Sequence, residues 1–118
     1  MIPNKAALLD IIRELSTEEK GTLFVVEGKR DVEAFMRLGI LKTNIIKAAH
    51  SRYCDLESAL RAAKKIIPLF DNDKTGQKRL HGFDAYFTGV TPIDHSYGTK
   101  IKSAGVYCIE DLDDILLV

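Results

Sequence analysis

Two apolar runs that stop abruptly in carboxylate constrain this chain more than anything else in it: Leu23-Phe24-Val25-Val26-Glu27-Gly28 and Ile66-Ile67-Pro68-Leu69-Phe70-Asp71-Asn72-Asp73. A short continuous apolar run bounded by charge and glycine has the signature of a strand buried on both faces of a parallel sheet, and an acid at its end lies at the strand's carboxyl end. In open α/β sheets, that edge is where ligands bind. If the two strands are neighbours, Glu27, Asp71 and Asp73 meet in one crevice, where three carboxylates repel one another unless a shared proton or a cation relieves them. A hard divalent metal is the simplest resolution.

The rest of the chain supplies the alternation such a sheet needs. Pro3 and Asn4 open a helix with Leu8, Ile11, Ile12 and Leu15 on one face, and residues 16–21 close it before the first strand at about 22–27. Gly28 starts a second helix, expected to bury Val32, Phe35 and Met36 and stopped by Gly39. A short strand follows near Asn44 to Ala48, then a helix from about Cys54 to Lys65 with Leu56, Ala59, Leu60 and Ala63 on one stripe. The run Ile66 to Phe70 is the third strand, and Lys74 to Thr88 reads as a helix through Leu80, Phe83 and Phe87. Beyond Gly89 the pattern weakens. Thr91 to Asp94 is a candidate short strand, His95 to Ser103 is ambiguous, and Gly105 to Ile109 reads as another strand. The acids from Glu110 to Asp114 read as a solvated helix start, favoured by the helix dipole, with Leu112, Ile115 and Leu116 at helical spacing. Alternating strands and helices imply an α/β fold with a mostly parallel central sheet and helices on both faces, with residues 1–20 forming a helix packed on a domain of residues 21–118.

Bulk properties narrow the function classes. At 118 residues the chain is one domain. Seventeen basic residues against seventeen acidic ones give no net charge, which excludes the global positive field of an autonomous tight nucleic-acid binder and leaves a local basic surface open. Cys54 and Cys108 are isolated, as fits a reducing compartment, and no run approaches membrane-spanning length. A cytoplasmic protein without membrane attachment is the expectation.

At this level the residues match a known family. Val25-Val26-Glu27-Gly28-Lys29-Arg30-Asp31-Val32-Glu33-Ala34-Phe35-Met36-Arg37-Leu38-Gly39-Ile40 resembles the first motif of the Toprim domain, shared by bacterial primases, type IA and type II topoisomerases, ribonuclease M5 and overcoming-lysogeny-defect nucleases. Phe70-Asp71-Asn72-Asp73-Lys74-Thr75-Gly76 resembles its D-x-D motif. The resemblance spans roughly residues 21–118 and implies a single Rossmann-like Toprim domain. It implies Glu27 as general acid or base and Asp71 and Asp73 as ligands of magnesium, with manganese as its substitute; at the shared strand edge Glu27 is expected close enough to join the metal through a water. Topoisomerases carry a further acid after the D-x-D where this chain has Thr75, so the likeness leans to the primase and ribonuclease M5 side. Neither the tyrosine motif of topoisomerases nor the zinc module of primases is present, which leaves a small stand-alone Toprim protein.

Each candidate has a plainer alternative. One aspartate of the pair would suffice to cap the helix at Lys74. Gly28 and Gly76 either let backbone approach a phosphate or a metal, or are turn glycines. Asp31, one turn beyond Glu27, either holds Lys29 or Arg30 in place or is an exposed helix acid. Lys29, Arg30, Lys74, Lys78 and Arg79 follow the acidic strand ends and would rim the crevice as phosphate contacts, or are simply solvated. His50, His81 and His95 lack zinc spacing, and His50 ends the second strand on the same edge. The expected function is magnesium-dependent phosphodiester chemistry on nucleic acid, RNA or DNA, as a nuclease or by primase- or topoisomerase-like phosphoryl transfer. The alternative is a non-catalytic, metal-dependent nucleic-acid-binding or partner module, with a protein partner or a second copy of the chain supplying what so small a domain lacks. A receiver-like or phosphatase-like domain ranks last, because the early strand ends in Glu27 where that chemistry uses a nucleophilic aspartate.

Overall fold

In the computed structural model, which describes residues 2–117, the two apolar runs are adjacent parallel strands. The elements follow as α1 (Lys5–Ser16), β1 (Thr22–Val26), α2 (Lys29–Arg37), β2 (Ile45–Lys47), α3 (Tyr53–Arg61), β3 (Lys65–Pro68), α4 (Lys74–Phe87), α5 (Ser96–Ser103) and α6 (Leu112–Leu116), with 3-10 turns at Lys42–Asn44 and Ile109–Asp111. The sheet order is β2-β1-β3, all parallel, with Phe24 opposite both Ile45 and Ile67.

Alternation along the strands divides the core into two layers, because successive side chains leave a strand on opposite faces. Phe24, Val26, Ile67 and Leu69 meet α1, α2, α5 and α6 through Leu8, Ile11, Leu15, Phe35, Ile101 and Leu112. Val25 and Ile66 meet α3 and α4 on the other face through Leu60, Phe83 and Phe87. The fold is therefore α/β and Rossmann-like, with helices on both faces of a parallel sheet. Ring contacts of 5.5 Å between Phe70 and Phe83 and 4.7 Å between Phe83 and Phe87 stiffen the second layer. Truncating a buried phenylalanine of this kind typically costs about 3–5 kcal/mol.

Four expectations need correction. Met36 is 44 % exposed, because a nine-residue helix turns only Ala34, Phe35 and the Asp31 side of α2 inward. Ala59 is likewise exposed, on the outer side of α3. Gly105 to Ile109 joins no ladder: Gly105 is a turn residue with φ +93°, Ile109 opens a 3-10 turn, and the carbonyls of Val106 and Tyr107 between them serve the loop after β3. Thr91 to Asp94 contributes a single bridge, Ile93 to Ile66, and not a strand. The ambiguous stretch after His95 is α5, whose Tyr97 and Ile101 are buried. No helix among the described residues is long and apolar enough to cross a membrane.

Candidate functional site

Parallel pairing sets the carboxyl ends of β1 and β3 side by side, and the next residues of each strand carry the acids. Glu27 directly follows β1, its carbonyl still accepting the Ala49 N–H at 2.7 Å beyond β2. The chain after β3 stays registered through the Leu69 N–H donating to the Val25 carbonyl at 2.8 Å, then turns so that the Asp71 N–H points at Glu27 Oε1, 3.4 Å away. Glu27 and Asp71 thus converge as the pattern demanded. Asp73 stands beside them as the N-cap of α4, where its Oδ1 accepts the Gly76 N–H at 2.7 Å. The capping alternative therefore accounts for Asp73 and leaves Asp71 outside it. Asp71 Oδ1 accepts the Ile109 N–H at 2.9 Å.

The electrostatics are those of crowded acids. Burial pushes the Glu27 carboxyl above its usual range and the Asp71 charge pushes it further, with Arg79 pulling the other way. Burial also raises Asp71, opposed by the Ile109 N–H and reinforced by the charges of Asp73 and Asp111. Asp31 is not the exposed acid or basic-residue anchor expected. It is 6 % exposed, its Oδ2 accepts the Gly28 N–H at 3.0 Å, and burial, followed by repulsion from Asp71, Glu27 and Glu110, raises it to about 6. Lys29 pairs instead with Glu33 at 3.9 Å.

The basic rim is only partly free. Arg79 Nη1 donates to Glu27 Oε2 at 3.0 Å, so this residue belongs to the acid cluster before any phosphate arrives. Lys29, Arg30, Lys74 and Lys78 are exposed. Gly76 proves to be a close-approach glycine, though to backbone: a Cβ there would stand 2.0 Å from the Asp71 carbonyl oxygen. Gly28 has open space around it and serves as the N-cap of α2.

Sequence reasoning missed how the last segment closes the site. The Asn72 N–H donates to the Tyr107 carbonyl at 2.7 Å, Asn72 Nδ2 donates to the Val106 carbonyl at 3.4 Å, and Gln77 Nε2 steadies the Asn72 amide oxygen at 3.1 Å. The acids that follow are not a freely solvated helix start. Asp113 is 5 % exposed and takes a 2.9 Å ion pair from Arg37, which clips α6 to α2, while Glu110 and Asp111 add negative charge around Asp31 and Asp71. The signal available was the apolar run Gly105 to Ile109, which marked the segment as inward-facing without saying where. His50 lies beside the site, at the wall of a cavity next to Glu27; His81 and His95 do not join it.

The donor set suits a hard cation in its chemistry: all oxygen, with Glu27 and Asp71 desolvated and mutually repelled. Among the described residues, however, no group of three or more acidic, histidine or cysteine side chains stands gathered as a metal cage. Arg79 holds Glu27, and the backbone amides of residues 76 and 109 hold one oxygen each of Asp73 and Asp71. A cation there would be held by the second carboxylate oxygens of Asp71 and Asp73, with Glu27 adjoining.

No family model matches the chain. It is 29 % identical over 118 residues to a UPF0292 protein of Pyrococcus furiosus, an alignment covering 98 % of this chain and 88 % of the relative. To a UPF0292 protein of Methanocaldococcus jannaschii it is 39 % identical over 71 residues, 59 % of this chain and 56 % of that one. A solved structure of a protein from Aquifex aeolicus superimposes with a TM-score of 0.80 at 26 % identity, covering 86 % of this chain and 94 % of the other.

Proposed function

We propose that the chain carries out magnesium-dependent chemistry on nucleic-acid phosphodiesters from the carboxyl edge of its sheet, in the manner of a Toprim nuclease or phosphoryl-transfer enzyme. The observation that carries this is the convergence of Glu27 and Asp71 in a partly desolvated crevice, where burial raises both carboxyls and the Asp71 charge raises Glu27 further. Such pairs are unfavourable for stability alone and recur where a proton or a cation is handled. Asp71 and Asp73 are the residues assigned to hold the ion, with Glu27 adjoining. The ion when bound supplies charge neutralisation at the non-bridging phosphate oxygens. Glu27, its carboxyl raised by burial and by the Asp71 charge, is the group placed to hold or accept the proton that bond cleavage moves. Arg79 steadies that carboxylate until substrate is present.

A second reading, a metal-dependent docking module without turnover, draws on two observations: Asp73 is engaged as a helix cap, and among the described residues no closed metal cage is preformed. Magnesium and manganese titration by calorimetry, run beside cleavage of labelled RNA and DNA, separates the two. Asp71→Asn and Asp73→Asn should weaken metal binding, whereas Glu27→Gln should keep most of it and lower turnover by about 10²–10⁴-fold. Full activity in Glu27→Gln overturns the role given to it. Metal binding without turnover of any nucleic acid moves the docking module into first place.

A further inference from the structure

Beside Glu27 the sheet edge opens into a cavity of about 470 Å³ walled by Glu27, His50, Ser51, Tyr53, Phe70 and Arg79. That volume falls in the range of small-molecule sites, about 300–1,000 Å³. One wall is aromatic and rigid. Tyr53 packs edge-on against Phe83 at 6.1 Å and Phe87 at 5.9 Å, and Phe70 packs against Phe83 at 5.5 Å, so neither ring is free to swing aside. The rest of the lining is polar: the Arg79 guanidinium paired to Glu27, with the Tyr53 hydroxyl donating to the Arg79 carbonyl at 3.5 Å, and the turn that carries His50.

The Ser51 N–H donates to the Ala48 carbonyl at 3.2 Å, which places His50 at the third position of a four-residue turn with φ +63°. Glycine or asparagine ordinarily fills a positive-φ turn position, because a side chain strains the left-handed backbone. Among the described residues His50 is the one non-glycine residue with positive φ. The turn is anchored on one side by the Ala48 and Ala49 N–H groups, which donate to the Val26 and Glu27 carbonyls at 2.8 and 2.7 Å. Strain held in place at the wall of a cavity points to a use for the side chain that glycine would lack.

We propose that this cavity receives one nucleotide unit of a single-stranded nucleic acid, its base against Tyr53 and Phe70 and its phosphate between His50 and Arg79. The proposal rests on the function given above and deepens it by naming the substrate class. A base inside a duplex is covered on both faces and cannot reach an aromatic wall within a cavity, whereas an unpaired base can. The reacting phosphodiester then lies next to Glu27, which shares the cavity wall.

Fluorescence anisotropy tests this with a short labelled single strand and a blunt duplex of the same sequence, each measured with magnesium and with chelator, alongside a cleavage assay. The single strand should bind about tenfold more tightly than the duplex, the scale of one base stacked on an aromatic ring. His50→Gly relieves the backbone strain, so its thermal midpoint should hold or rise while single-strand affinity falls toward that of the duplex. Tyr53→Phe should bind as wild type and Tyr53→Leu should not. Equal affinity for strand and duplex, or an unaltered affinity in His50→Gly, overturns the subsite. Metal-dependent cleavage that persists with equal affinities would do so while leaving the catalytic reading intact; single-strand preference without cleavage supports the subsite and removes the catalytic reading.

Discussion

Asp31 shows what a single residue of this site costs and why it is tolerated. Its carboxyl is raised from 3.8 to about 6, chiefly by burial and then by the neighbouring acids, against the opposing pull of the Gly28 N–H. Between about pH 4 and pH 6 the folded chain therefore binds more protons at this position than the unfolded chain does, and stability falls as pH rises through that window. The contribution is present in full below about pH 4 and is lost above about pH 6. Its size corresponds to on the order of 2–3 kcal/mol. Asp31→Asn keeps an acceptor for Gly28 and removes the charge. Its denaturation midpoint should exceed that of wild type at pH 8 and match it at pH 4, and a difference that does not vary with pH would show that Asp31 is not the group titrating. The same substitution lowers the repulsion felt by Glu27 and Asp71, so it should also bring their protonation closer to the ordinary carboxylate range.

At the scale of elements, the junction between β3 and α4 has least room to move. A Cβ on Gly76 would lie 2.0 Å from the Asp71 oxygen and 2.6 Å from its carbonyl carbon, both backbone atoms that cannot rotate away. Gly76→Ala must therefore part the first turn of α4 from the loop bearing the acids, at a cost of about 3 kcal/mol or more. Gly28→Ala meets open space at an extended φ of −138° and should change stability by less than about 1 kcal/mol. Urea midpoints of the two variants check the contrast, and equal midpoints would contradict it. The sequence announced this junction, because an apolar run, an acid and a helix N-cap are all local patterns. It announced β1 and the sheet edge in the same way. It could not announce that Gly105 to Ile109 leaves the ladder and binds Asn72 instead, since an extended apolar segment has the same pattern whether its amides face a strand or a loop. Burial of Asp113 was hidden for a similar reason: its partner Arg37 lies on α2, and a run of acids carries no mark of a distant cation. The pairing of Arg79 with Glu27 is likewise a matter of tertiary distance, although the sequence placed both at the same edge.

The whole molecule has no net charge, so whatever attracts a polyanion must act locally. Over a body of 38 × 31 × 22 Å the acids of the crevice and the cations of its rim sit close enough to cancel at a distance beyond about one Debye length, roughly 8 Å at physiological salt. Long-range steering is therefore weak, and short-range contacts decide binding. Two of the five expected rim cations are engaged, Arg79 with Glu27 and Lys29 with Glu33, while Arg30, Lys74 and Lys78 make no ion pair among the described residues. Three phosphates neutralised on a single strand give a slope of log K against log salt near −2, since each contributes about −0.7. Lys74→Ala combined with Lys78→Ala should flatten that slope to about −0.7 and weaken binding to all sequences alike, because phosphate contacts carry no base information. Anisotropy titrations across a salt series measure both numbers. A slope untouched by the double substitution would place the nucleic-acid surface elsewhere on the molecule, and a slope much steeper than −4 would require cations beyond this rim, such as those a second copy of the chain would bring.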